Sequence, residues 1–153
     1  MAMDVDGVLT DGGMYYSENG DELKKFNTRD GRGIELLRNA GIRTAFITSE
    51  NTQIVVRRAA KLKIDEVYQG TEDKLAALRE IMSKYGLTQD EVAYIGDDIN
   101  DLPVLRAVGL AITVTDGLTE NLKIAHYVTR AKGGECAVRE VSTLILDARK
   151  RGH

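Results

Sequence analysis

From Gly31 onward the chain repeats one alternation: a strand-sized apolar run, then a longer stretch whose apolar residues recur every three to four positions. No other feature constrains the fold as strongly. Ile34, Leu37 and Ala40 mark a helix stopped by Gly41, and Thr44 to Thr48 follows as a buried strand. A helix through Ile54, Val55, Ala59 and Leu62 leads to a short strand at 66–68. A third helix carries Leu75, Leu78, Met82 and Tyr85 on one face before Gly86. A capping box, Thr88-x-x-Glu91, precedes the strand Val92 to Ile95, and the next helix has Pro103 in its first turn and Gly109 past its end. Leu110 to Val114 and His126 to Thr129 are further strands around a short helix, and Val138, Val141, Leu144, Ile145 and Ala148 form the last helical stripe. Strands alternating with helices predict an α/β fold with a central parallel sheet covered on both faces. The 153 residues suffice for one core and not for two, so a single domain over 1–153 is expected.

Residues 12–26 break the alternation. Met14-Tyr15-Tyr16 and Leu23 to Phe26 flank Ser17 to Gly20, and Asn19-Gly20 is a hairpin turn signal. Such a hairpin projects from the sheet and overhangs the loop that precedes it. Only Met1-Ala2-Met3 stand before Asp4, whereas a central strand runs to about five residues. The sequence is therefore expected to begin inside its first strand.

A net charge of −3 provides no basic footprint for nucleic acid or an anionic membrane, so neither is expected as a partner. The longest apolar runs are strand-sized, too short to span a bilayer, and no signal peptide is visible in the sequence. The single cysteine, Cys136, cannot form an internal disulfide, which fits a reducing cytoplasm. It falls in the start of the last helix as a small packing residue, since neither His126 nor His153 is placed to act as its base.

The chemistry concentrates at Asp4-Val5-Asp6-Gly7, where two carboxylates lie two residues apart as an apolar strand runs into a glycine loop. One carboxylate oxygen can attack phosphorus while the second carboxyl handles the leaving-group proton, and the glycine lets backbone N–H groups approach a phosphate. Taken alone, a calcium-type loop or a solvated turn explains these residues equally well. Three further elements fall at strand ends or helix starts: Thr48, Lys74 after Gly70, and Asp97-Asp98 after Gly96. Lys74 by itself would be an ordinary surface lysine, and Asp97 an ordinary helix cap. Asp98 and Asp101 add negative charge that a cap does not need and a cation offsets.

This ordered set, closing with Gly96-Asp97-Asp98-Ile99-Asn100-Asp101, resembles the haloacid dehalogenase superfamily of aspartate-nucleophile phosphatases over nearly the whole chain. The segments Lys25 to Gly31, Tyr68-Gln69-Gly70 and Lys132 to Glu135, with no inserted cap, resemble its small phosphatases of 2-keto-3-deoxy sugar acid phosphates. Those act on 3-deoxy-D-manno-octulosonate 8-phosphate or on nine-carbon, sialic-acid-type 9-phosphates. The resemblance implies a Rossmann-like three-layer α/β/α fold with a protruding hairpin. It implies Asp4 as nucleophile, Asp6 as general acid and base, and Thr48 and Lys74 as holders of the phosphoryl oxygens. Magnesium would bind Asp4, the Asp6 carbonyl and Asp97, with Asp98 and Asp101 orienting Lys74 and the metal's waters. Substrate contacts would come from Asp6 and Lys74, from Asn27, Thr28, Arg29, Asp30 and Gly31, and from Glu50 and Arg58, although Arg58 equally suits a solvated helix face beside Arg57.

The resemblance also implies a homotetramer, because a capless cleft needs a neighbouring subunit as its lid. Lys132 to Glu135 would approach an adjoining site, or serve only as a loop. Glu50 stands where the octulosonate enzymes resemble Thr-Gly-Arg, so the charge is reversed there. The nine-carbon branch of the family resembles this chain in carrying Glu at that point, so the resemblance, with Arg58 and Lys61 placed to supply positive charge further along the same helix, implies a nine-carbon substrate, with octulosonate 8-phosphate as the alternative. Two readings of another class remain. A receiver domain also uses Asp, Thr, Lys and magnesium, but in another chain order. A degenerate phosphatase-like assembly module would have no need of the catalytic positions retained here.

Overall fold

The computed structural model describes residues 1–152, so His153 lies outside the described residues. In chain order its elements are β1 (Ala2–Met3), β2 (Tyr15–Tyr16), β3 (Glu22–Leu23), α1 (Thr28–Asn39), β4 (Ala45–Ile47), α2 (Gln53–Leu62) and β5 (Glu66–Tyr68). They continue with α3 (Lys74–Tyr85), β6 (Ala93–Ile95), α4 (Leu102–Leu105), β7 (Leu110–Thr113), α5 (Thr119–Ile124), β8 (Tyr127–Val128) and α6 (Ala137–Arg151). Six strands form one parallel sheet in the order β5-β4-β1-β6-β7-β8. The strand order reverses at β1, and in an open parallel sheet the crevice beyond the C-terminal strand ends at that point is where ligands bind.

Period-two alternation divides the sheet's side chains between two cores. Met3, Phe46, Ile95 and Ile112 face one side and pack with Ile34, Val55, Val138 and Val141 of α1, α2 and α6. Their strand neighbours Ala2, Ala45, Ile47, Tyr94 and Ala111 face the other side, against Leu78, Ile81, Val104 and Leu105 of α3 and α4. Burying each such large apolar side chain contributes roughly 1.5–3 kcal/mol, so both faces are needed to hold strands this short. The expected three-layer α/β/α arrangement is thus found, with β1 central although only two residues long.

Several local features differ from the expectation. The Thr88–Glu91 capping box is present but closes a single 3-10 turn, Gln89–Glu91, before β6. The helix containing Pro103 is one turn long and follows another 3-10 turn, Ile99–Asp101. The hairpin does not turn on two residues: Ser17 N–H donates to the Asp21 carbonyl at 3.0 Å, leaving residues 18–20 as a three-residue loop. Gly20 takes its left-handed position at φ 87°, a conformation that costs glycine little. Cys136 is not inside the last helix but immediately before it, at φ 80°. His126 is structural, its Nδ1 accepting from the Ala111 N–H at 3.0 Å.

Candidate active site

The loop that leaves β1 folds back on itself. Asp4 N–H donates to the Ile95 carbonyl at 3.0 Å, and the N–H groups of Gly7 and Gly12 both donate to Thr10 Oγ at 3.2 Å. Gly7 sits at φ 81°, and a Cβ there would lie 2.0 Å from Asp97 Oδ2. The glycine therefore lets the carboxylate that follows β6 close onto the loop that follows β1. Gly133 serves the same loop from behind, since its Cβ would lie 1.7 Å from the Gly7 carbonyl oxygen. Gly134 N–H donates to the Val8 carbonyl at 2.9 Å. Lys132 to Glu135, expected to approach an adjoining site, thus packs its glycines on the carboxylate loop of its own chain.

The ends of β1, β4 and β6 and the start of α3 open into one cleft of about 180 Å³, lined by Asp4, Asp6, Thr48, Ser49, Glu50, Lys74, Asp98 and Asn100. Lys74 is brought there because Asp73 caps α3 by accepting from the Ala76 N–H, which places the lysine at the helix's first position. Its side chain has no exposed surface, and Nζ bridges Asp4 Oδ2 and Asp101 Oδ1 at 2.8 Å each. Burial pulls the ammonium's pKa down, but the two carboxylates outweigh it and hold it above the ordinary lysine value. Thr48 is buried, and its Oγ accepts from the Glu50 N–H at 3.2 Å, which leaves its own hydroxyl proton free to donate.

Asp101 is the hub beneath the cleft. Oδ1 accepts from Lys74 and from the Tyr94 hydroxyl at 2.5 Å, and Oδ2 accepts from the N–H groups of Asp97 and Asp98 at 2.9 and 3.1 Å. Lys74, which Asp101 was expected to orient, is thus one of the donors on Oδ1. The Asp98 carboxylate caps its own turn through the Ile99 N–H at 2.6 Å, and the ion-pair partners of Lys74 among the described residues are Asp4 and Asp101. Sequence reasoning missed Tyr94, Asn121, Asn100 and Lys24. Tyr94 and Asn121 are fully buried, and Asn121 donates to the Asp98 carbonyl at 2.9 Å. Asn100 bridges the cleft rim to Ser49 Oγ at 3.0 Å. Lys24, from the hairpin, reaches Asp6 Oδ1 at 2.7 Å. A polar side chain in an otherwise apolar strand was the available signal for Tyr94; the others carry none that composition or spacing exposes.

Carboxylate oxygens of Asp4, Asp97 and Asp101 lie within 4.8 Å of one another. The donor set fits a hard divalent cation on Asp4 and Asp97. Asp97 Oδ1 is buried without a hydrogen-bond partner among the described residues. Each oxygen of Asp4 meets one donor and keeps a lone pair, whereas each oxygen of Asp101 already accepts from two. Burial, then Asp4, Asp101 and Asp98, push the Asp97 carboxyl up to about 8. Burial and Asp101 push Asp4 up to about 7 against the opposing pull of Lys74. A cation offsets the crowding that raises both.

The expected substrate segment is not drawn into this cleft within one chain. Asn27 caps α1 by accepting from the Arg29 N–H at 2.8 Å, and Asp30 is buried, accepting from the Arg139 N–H at 2.8 Å to join α1 to α6. Burial raises the Asp30 carboxyl against its hydrogen bonds to the α6 N-terminus. Arg58 donates to the Asn27 carbonyl at 3.1 Å and stacks over Phe26, and a Cβ on Gly31 would lie 2.9 Å from Arg58 Nη2. Thr28, Gly31 and Arg58 line a separate basic groove of about 500 Å³ with Arg32, Arg38, Lys61 and Lys63, while Arg29 is exposed. Among the expected contacts from 27–31, Glu50 and Arg58, it is Glu50 that lines the cleft.

Residues 38–134 match the family model of haloacid dehalogenase-like hydrolases. The chain is 47% identical to the 3-deoxy-D-manno-octulosonate 8-phosphate phosphatase KdsC of Yersinia pestis over 97% of its own length and 79% of the relative's. It is 44% identical to KdsC of Escherichia coli K12, over 95% of its own length and 78% of the relative's. The crystal structure of the Moraxella catarrhalis octulosonate 8-phosphate phosphatase with magnesium, phosphate and KDO superposes with a TM-score of 0.94 at 44% identity, covering 96% of this chain and 84% of that one. Together with the chain order Asp4/Asp6, Thr48, Lys74, Asp97, these likenesses exclude the receiver-domain reading. The chain belongs to the haloacid dehalogenase-like hydrolases, in the family of the 3-deoxy-D-manno-octulosonate 8-phosphate phosphatases, and is a phosphoric monoester hydrolase.

Proposed function

We propose that the protein hydrolyses the phosphate ester of a 2-keto-3-deoxy sugar acid, with 3-deoxy-D-manno-octulosonate 8-phosphate as the substrate. The observation that carries the phosphatase reading is the convergence of Asp4, Asp6, Thr48 and Lys74 on one cleft at the switch point of the sheet, and the choice of ester is supported by the octulosonate enzymes to which the chain is similar. Asp4, with one oxygen on Lys74 and the other on the Val5 N–H at 2.7 Å, is held still for in-line attack on phosphorus, forming an aspartyl-phosphate. Asp6 gives its proton to the departing sugar oxygen and afterwards takes one from the water that opens the intermediate. Thr48 and Lys74 hold the equatorial phosphoryl oxygens, and Asp101 fixes the lysine. Asp4, Asp97 and the Asp6 carbonyl would hold magnesium, which would supply positive charge against those oxygens.

The nine-carbon expectation finds no support among the relatives named above, which are octulosonate enzymes. One observation keeps it as a second reading: Glu50 is exposed in the cleft, where an anion disfavours a substrate carboxylate placed against it. Comparing kcat/KM for eight- and nine-carbon acid phosphates with magnesium decides between them; a higher value for the nine-carbon ester refutes the octulosonate assignment. Asp4→Asn should abolish turnover of either, and full activity of that variant, or activity undiminished by a chelator, would sink the mechanism.

Homotetrameric assembly belongs to the same proposal. Its support is the exposed apolar hairpin, where Met14, Tyr15, Tyr16 and Leu23 are 41%, 44%, 67% and 63% accessible beside an open cleft. Light scattering that finds a fully active monomer would refute it. A cytoplasmic location is the accompanying reading, supported by a free Cys136 and by the absence, among the described residues, of a helix long and apolar enough to cross a membrane.

A further inference from the structure

We infer that Lys24 is a positioning residue of the phosphatase reaction: from the hairpin it pins one oxygen of Asp6 and leaves the other to meet the leaving group. The inference rests on the phosphatase reading above. Lys24 leaves the hairpin one residue after β3, and its side chain has no exposed surface. Nζ donates to Asp6 Oδ1 at 2.7 Å, lies 3.7 Å from a Glu22 carboxylate oxygen and approaches Met14 Sδ at 3.8 Å. The second oxygen, Asp6 Oδ2, is buried and has no hydrogen-bond partner among the described residues.

An aspartate that must serve as acid and then as base needs its carboxyl held against rotation, because a proton is handed over only across hydrogen-bonding distance. In Asp6 one oxygen is anchored by a charged donor, and the other remains for the sugar oxygen and later for the hydrolytic water. Charge-assisted bonds of this length are about twice as strong as neutral ones, so the ammonium is the dominant restraint on the rotamer. The hairpin that overhangs the cleft therefore also sets the geometry of the proton transfer.

Leaving-group dependence separates this role from packing and from substrate contact. With the magnesium-loaded enzyme, kcat/KM is measured for aryl phosphates running from p-nitrophenyl to phenyl, which share shape but differ in how much the departing oxygen needs a proton. Lys24→Met should lose at least about threefold more on phenyl phosphate than on p-nitrophenyl phosphate, as expected when part of the roughly hundredfold or greater gain from general acid catalysis is removed. Lys24→Arg should restore the wild-type ratio. If Lys24→Met does not fold, Lys24→Gln supports the same comparison. An equal loss on every ester, or no loss, would overturn the positioning role. A wild-type enzyme inactive on all esters, sugar acid phosphates included, would overturn the phosphatase reading itself, and the inference with it.

Discussion

Asp101→Asn preserves shape and removes one charge, yet it should be among the most damaging conservative changes in the chain. All four groups bonded to Asp101 are donors: Lys74 Nζ and the Tyr94 hydroxyl on one oxygen, the Asp97 and Asp98 N–H groups on the other. An amide has one acceptor face and one donor face, so either orientation turns its NH2 on two donors. The residue is fully buried, and water cannot make up the loss. Two stranded buried donors cost about 1–3 kcal/mol each, and relief of repulsion with Asp4 and Asp97 returns part of it. We expect a net loss of about 3 kcal/mol, or about 6–12 °C in Tm for a domain of this size. Urea unfolding in chelator, with the slope unchanged, measures it free of metal linkage. Asp98→Asn is the control: it disturbs the cap of an exposed turn and should cost no more than about 1 kcal/mol. Activity of Asp101→Asn should fall about ten- to a hundredfold, because Lys74 loses one of its two anchors. Equal stability losses for the two variants, or less than about 1 kcal/mol at Asp101, would refute the hub.

Gly7→Ala should abolish magnesium-dependent turnover, since its methyl would meet Asp97 Oδ2 at 2.0 Å; a wild-type response of the variant's Tm to magnesium would show that the loop yields. Without metal, the protein should be more stable at pH 5.5 than at pH 8. The folded-state pKa values of Asp4 and Asp97 are raised to about 7 and about 8, so the native state binds more protons than the unfolded chain, and stability drains as pH rises through them. Magnesium should reverse that trend and raise Tm more at pH 8; calorimetry at both pH values, with Asp97→Asn as the flattened control, tests it. Glu50→Arg should improve kcat/KM for the octulosonate ester relative to an aryl phosphate, and an unchanged ratio would remove Glu50 from substrate choice.

The alternating apolar runs were enough to specify the parallel sheet and its helices, because burial of a two-faced sheet demands that pattern wherever the chain goes. The ordered positions Asp4, Asp6, Thr48, Lys74 and Asp97 were legible for a related reason: each sits at a strand end or helix start, and those ends must converge at the switch point. What the linear pattern leaves open is which polar groups become partners once the chain closes. Asp98 and Asp101 read alike as acidic neighbours, but the 3-10 turn points one outward as a cap and the other inward to four donors. Lys24 lies eighteen residues beyond Asp6, and the hairpin's fold alone brings them together. The Gly133-Gly134 pair signals only a loop until its backbone is seen against the Gly7 carbonyl. Asn27 to Gly31 and Arg58, likewise, are held on the α1–α2–α6 side of a single chain by Asp30's bonds and the Phe26 stack. Periodicity records burial and turns, which are local and repeated; the pairing of distant polar groups is decided by three-dimensional closure, and it leaves no period in the sequence.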